Sequence, residues 1–180
     1  MSNIALSAHR KLLSKWRGAM DLIGPGNMEH HFEDSIGAVS NLDITGRWID
    51  LGSGAGFPGI ALAAMYPHIQ LQMVESRQKR ALFLKRVISE GKLKNITLFH
   101  GRTEAIQSQF DGVISRAYKP PIEYLQDADR LCCNEGLAIC LLGEDSSFPI
   151  PKPWILQSEA FYNVSDGRRK RWVLKKTKNS

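Results

Sequence analysis

The sequence predicts an α/β fold: one domain built on a doubly wound, mostly parallel, seven-stranded sheet preceded by N-terminal helices. Three observations lead there. The chain has 180 residues, room for one ordinary hydrophobic core. Apolar runs of strand length alternate with segments of helical period through its middle. The first of those runs ends in a glycine-rich turn, Gly52-Ser53-Gly54-Ala55-Gly56, of the kind that carries a strand into a helix close beneath a ligand.

Along the chain, Leu12, Trp16, Met20 and Ile23 recur at helical spacing with Arg10, Lys11, Lys15 and Arg17 between them. This amphipathic helix stops near Gly24-Pro25-Gly26, a strong breaker. Phe32, Ile36 and Val39 mark a second helix that closes before Thr45-Gly46. Arg47 to Leu51 is the first strand, and residues 58–66 form a helix with proline in its first turn. A strand over 69–75, a helix over 78–90, strands over 96–99 and 111–115, a helix over 122–131 and a strand over 137–142 follow. Parallel neighbours need such crossover helices. Residues 154–161 and 171–174 read as an antiparallel pair at one edge. The single domain therefore divides into a helical segment (1–45), a core (46–143) and edge strands with a basic end (144–180).

A composition of 43% hydrophobic and 23% charged residues excludes a disordered tail protein or a fibre. No apolar run reaches the length of a membrane span and no signal pattern opens the chain, so a soluble cytoplasmic protein with no membrane partner is expected. Cys132, Cys133 and Cys140 share one apolar stretch without the spacing of a metal knuckle or redox pair, and are expected as reduced core thiols. His30 and His31 are neighbours that point about 100° apart on a helix, so no metal site is expected. The net charge of +6 is unevenly placed: residues 1–165 hold 17 bases and 17 acids, and the last fifteen hold seven bases against Asp166. That end is either a phosphate-binding patch, with Arg169 and Arg171 as substrate contacts, or a solvated tail. Trp172 within it either stacks on a base or belongs to the core.

The glycine turn leaves two ligands open. Gly54, Gly56 and Gly59 satisfy the dinucleotide spacing, and Glu75 follows at the distance of a ribose-gripping acid, so NAD fits the pattern. Asp50, just before the glycines, favours the other: a fixed anion repels a pyrophosphate and attracts the ammonium and sulfonium of S-adenosylmethionine. Asp50, Gly52, Gly54, Gly56 and Glu75 are then the expected cofactor site, with Glu75 accepting from the ribose hydroxyls.

Asp50 to Gly59, Glu75-Ser76 with Lys79-Arg80 and Phe83-Leu84, Gly101 to Glu104, and Phe110 to Ala117 resemble successive motifs of the bacterial ribosomal RNA small-subunit methyltransferase G family, also called glucose-inhibited division protein B. Upstream, Lys15-Trp16 and His31 to Ile36 are similar to its helical N-terminal pattern. The resemblance implies a class I, Rossmann-like methyltransferase that uses S-adenosylmethionine to methylate N7 of a guanine in 16S ribosomal RNA, alone or within the 30S subunit. It also implies that Ser53, Phe57 and Ser76 join the cofactor site and that Arg102, Thr103 and Glu104 lie beside the adenine. Arg116 is implied as the catalytic and substrate-side cation, and His31 as a rim residue. Where the family has lysine and glycine after the fifth strand, this chain has Leu142-Gly143; nearby Lys119 is the candidate replacement. The chain also begins later than the family pattern and is shorter after Gly143. A small-molecule methyltransferase of the same fold and a non-catalytic RNA-binding relative remain as alternatives.

Overall fold

A computed structural model describes residues 3–20, 22–23 and 27–178. Two helices, α1 (Asn3–Met20) and α2 (Met28–Val39), precede β1 (Arg47–Leu51). The predicted breaker Gly24-Pro25-Gly26 lies outside the described residues. Next come α3 (Gly59–Met65), β2 (Gln70–Glu75), α4 (Gln78–Glu90), β3 (Ile96–His100), β4 (Phe110–Ile114), α5 (Pro121–Leu131), β5 (Cys132–Gly143), β6 (Trp154–Val164) and β7 (Gly167–Lys176).

The seven strands lie in the order β3-β2-β1-β4-β5-β7-β6. β1 to β5 are parallel to one another, and β7 runs antiparallel between β5 and β6. The chain builds outward from β1 to β3 and then returns beside β1 with β4. The crevice at the carboxyl ends of β1 and β4 is the topological switch point, where open α/β sheets hold ligands.

Strands buried on both faces read as continuous apolar runs, as β1 does. Trp48 faces a core shared with Leu12 and Leu13 of α1, Phe32 of α2, Ile60 and Leu62 of α3 and Phe83 of α4. Ile49 and Leu51 face the other way, toward Tyr124, Leu125 and Ala128 of α5. One strand period thus serves two helical layers.

Two elements differ from the expectation. β5 begins at Cys132 rather than residue 137, because Cys132 pairs with Phe110 before an irregularity re-registers the strand at Gly112 and Leu137. Glu135 takes φ of 65° inside it. The basic end is not a solvated tail: β7 continues to Lys176, with Lys170, Arg171 and Lys176 buried. Trp172 is core, packed on Phe148 with ring centroids 5.0 Å apart, and its indole N–H donates to Glu159 at 2.5 Å. Cys132 and Cys140 are buried thiols whose pKa burial pushes up to about 12, so they stay protonated; Cys133 is only half buried, a partial departure from the expected core trio.

Candidate active site

At the switch point, β1 ends and the chain turns through Gly52 and Gly54, with φ of 64° and 55°, a region L side chains avoid. Two bonds from β2 hold the turn: Ser53 N–H donates to the Val74 carbonyl at 2.9 Å, and Gly54 N–H to Glu75 Oε2 at 2.8 Å. The other oxygen of Glu75 accepts Arg77 N–H at 2.7 Å. Glu75 is buried, and each oxygen keeps a second lone pair for a further donor.

Beside this turn opens a cleft of about 340 Å³ lined by Gly52, Ser76, Arg102, Thr103, Glu104 and Lys119, together with Val74, Gly101 and Tyr118. Arg130 of α5 pins its far end, donating to the Ile106 and Thr103 carbonyls at 2.7 and 3.0 Å. Lys119 is paired with Asp127 at 2.6 Å. Tyr118, which the sequence did not single out, packs its ring against Gly52 and also lines a second, 50 Å³ hollow with Ala117, Pro121 and Leu142. Its signal was position alone: it closes the turn after the Arg116 strand end.

Three of the expected site residues lie below the surface of the cleft. Asp50 does not stand at the mouth of the loop. Strand alternation turns it the same way as Trp48, into the interior beneath α3, where its carboxylate lies against Gly59 and is fully buried. Neither carboxylate oxygen makes a well-formed hydrogen bond, although the Ser53 hydroxyl and the Gly59 N–H stand near it and ease its charge; the Ser53 hydroxyl donates to the Asp50 main-chain carbonyl at 3.1 Å. Burial pushes the Asp50 pKa up to about 7. Ser53, 1% exposed, spends its hydroxyl on that inward bond. Phe57, 4% exposed, is a floor: its ring packs on His9, His31 and Phe32 with centroids 4.7, 5.6 and 4.9 Å away.

Arg116 follows β4 and reaches across to α2. Its Nη1 lies 3.1 Å from Asp34 Oδ2, and its guanidinium sits 4.7 Å above the Phe57 ring. Tyr162 of β6 donates to the other Asp34 oxygen at 3.0 Å. His31 stands on the same rim, its pKa lowered by burial and by Arg116. A residue the sequence missed ties α1 to the loop: His9 Nε2 lies 2.7 Å from the Ala55 carbonyl. Burial lowers its pKa to about 4, so the ring is neutral and donates through Nε2.

Several of the cations at the basic end are engaged by the chain itself. Arg171, expected as a substrate contact, is buried and clamps the open end of α2, donating to the Ala38 and Ser40 carbonyls, both at 2.7 Å. Arg169 holds Asp166 at 3.1 Å, and Asp166 also meets His30. Lys176 donates to the Asp129 and Cys132 carbonyls at 2.6 and 3.0 Å. Among the described residues, no three His, Cys, Asp or Glu side chains gather where they could hold a metal, and no helix is long and apolar enough to cross a membrane.

Comparison with known proteins bears on the fold and the family. A Pseudomonas paraeruginosa protein, "Ribosomal RNA small subunit methyltransferase G", is 39% identical over 183 residues, covering 96% of this chain and 86% of its own length. A Nitratidesulfovibrio vulgaris protein of the same name is 31% identical, covering 95% and 84%. Among solved structures, a variant of MtNAS in complex with S-adenosylmethionine superposes with a TM-score of 0.65 at 13% identity, covering 98% of this chain and 73% of that one. The putative methyltransferase yhhF of Escherichia coli gives 0.60 at 16%, covering 86% and 89%. At such identities the two structures speak for the fold alone, a class I methyltransferase sheet. The family described as rRNA small subunit methyltransferase G matches residues 3–151, and with relatives above 30% identity along nearly the whole chain, the protein belongs to that family.

Proposed function

We propose that the chain transfers a methyl group from S-adenosylmethionine to N7 of a guanine in 16S ribosomal RNA, a reaction that places it in the cytoplasm with the ribosome. The observation that carries this reading is the convergence, in a member of this family, of a donor-sized cleft and the Arg116 guanidinium at one switch point. S-adenosylmethionine would supply a methyl group activated by its sulfonium. The buried, unpartnered Asp50 carboxylate suits a cationic donor: a positive charge over the loop compensates it through the peptide turn, whereas a diphosphate adds repulsion. Asp50 thus acts by its field rather than by contact. Gly52 and Ser76 would admit the donor closely, Glu75 would take the ribose hydroxyls on its free lone pairs, and Arg102 to Glu104 would border the adenine. Gly54 and Gly56 would shape the turn.

Guanine N7 carries a free lone pair, so attack on the methyl needs alignment and no general base. Arg116 is placed to hold the substrate, through a phosphate or the acceptor edge of guanine, with His31 and Lys119 at the rim and Arg169 further out. Tritiated methyl transfer to 30S subunits, free 16S RNA and small-molecule extracts tests the reading. Label in ribosomal RNA, released as 7-methylguanine, is expected; label only in small molecules would replace it with a metabolic methyltransferase.

A further inference from the structure

We propose that the outer face of α1 and α4 docks on the phosphate backbone of structured ribosomal RNA, an inference that rests on the substrate named above. In the sequence, the first 165 residues are electrically balanced. The fold undoes that balance locally, by gathering cations without carboxylate partners on two adjoining helices. α1 contains no carboxylate, and α4 contains one, Glu90, which is engaged by Arg86 at 2.5 Å. The two helices lie side by side, with Trp16 and Phe83 rings 5.9 Å apart. Lys11, Lys15, Arg77, Lys79 and Lys85 stand exposed on them, and no carboxylate within salt-bridge distance is found for any of the five among the described residues. The acids of the fold lie elsewhere and are largely engaged: on α5, Asp127 is paired with Lys119 and Asp129 with Lys176, and on α2, Glu29 is paired with Arg10 and Asp34 with Arg116.

The placement also runs against helix stability. The first turn of α4 holds no acid, its N-cap is Arg77 with no side-chain cap, and Lys79 is the second residue of the helix. Cations there oppose the helix dipole, and folding gains nothing from them. A polyanion does gain. The site is next to the chemistry, since Arg77 directly follows Ser76, a wall of the cleft, and is bonded to Glu75. By contrast the basic run of β7 is held in ion pairs, Arg168 with Glu144 and Lys175 with Glu135.

The test is filter binding of the full chain to 16S RNA and 30S subunits across a salt series, with S-adenosylhomocysteine affinity and thermal midpoint measured alongside. The double variants Lys11→Gln/Lys15→Gln and Lys79→Gln/Lys85→Gln are each expected to weaken RNA binding about tenfold and to reduce the salt slope by about 1.5, as the loss of two phosphate contacts requires. Their S-adenosylhomocysteine affinity and thermal midpoint should stay at wild-type values. Arg168→Gln/Lys175→Gln should leave the slope unchanged. Unchanged slopes in both helix variants, or a slope lost only in the β7 variant, overturn the proposal. So does binding to phosphatidylglycerol vesicles as tight as to RNA, abolished by the same helix substitutions. A wild-type chain that binds RNA with these slopes but transfers no methyl upholds the surface and defeats the methylation reading instead.

Discussion

Arg116 and Asp34, 82 positions apart in sequence, are joined at 3.1 Å between the end of β4 and α2, and Tyr162 holds the second oxygen of Asp34. The cation at the end of β4 therefore has its direction set by an N-terminal helix and an edge strand. Arg116→Ala should lower methyl transfer to 30S subunits by about 10²-fold or more, as loss of a charged positioning contact does, while S-adenosylhomocysteine affinity stays within about threefold. Asp34→Asn, which keeps the shape but removes the charge, should fall between Arg116→Ala and wild type. Equal losses in transfer and cofactor affinity for Arg116→Ala would move Arg116 out of the substrate side.

The Asp50 carboxyl, at a folded pKa of about 7 against 3.8 unfolded, binds an extra proton in the folded form between those values. Stability of the ligand-free chain should therefore fall as pH rises from about 4 through 7, by on the order of 2–4 kcal/mol from this group. Asp50→Asn should remove that decline and raise the pH 8 denaturation midpoint. The cationic donor needs the ionised form, so S-adenosylmethionine affinity should rise nearly tenfold per pH unit below 7 and level off above it. Calorimetry from pH 6 to 8 reads this, and a flat profile in wild type refutes the field assigned to Asp50.

Arg171 closes the end of α2 by two bonds to the Ala38 and Ser40 carbonyls. Arg171→Met keeps most of the packing but strands both acceptors, at a cost of about 2–4 kcal/mol. Urea unfolding should show that loss, and the salt slope of RNA binding should not change. A stable variant with weakened RNA binding would restore Arg171 as a substrate contact.

Gly52 takes φ of 64° with the Tyr118 ring against it. In Gly52→Ala a methyl group must enter both a disfavoured backbone region and the space of the ring. Strain of about 1–2 kcal/mol and a loss of cofactor affinity of at least about tenfold are expected. The double variant Gly52→Ala/Tyr118→Ala should recover part of the affinity if the ring is the obstacle; titration with S-adenosylhomocysteine measures both.

The sheet was legible in the sequence because parallel strands buried on both sides must be apolar throughout, and the helices between them must show a 3.6-residue period. Residues 78–90 were read as the helix that α4 is, and the glycine turn was placed at the end of β1. Local grammar reaches that far because turns and strand ends depend on neighbouring residues. Motif resemblance then pointed to Ser76, Arg102, Thr103 and Glu104, which the fold brings to one cleft.

Where each polar side chain points, and which charge it meets, is another matter. Asp50 looked like a guard at the entrance, yet the alternation of β1 buries it under α3. Arg171 looked like part of a free cationic tail, yet β7 lies between two strands and turns it onto α2. His9 carried no motif, and its hold on Ala55 spans 46 positions. What the sequence determined was the order of elements, the place of the ligand turn and the family. Only the tertiary structure decided which acids are buried, which cations are paired and which face is left positive, because electrostatic energies depend on distance and solvent exposure, and neither is a property of position along a chain.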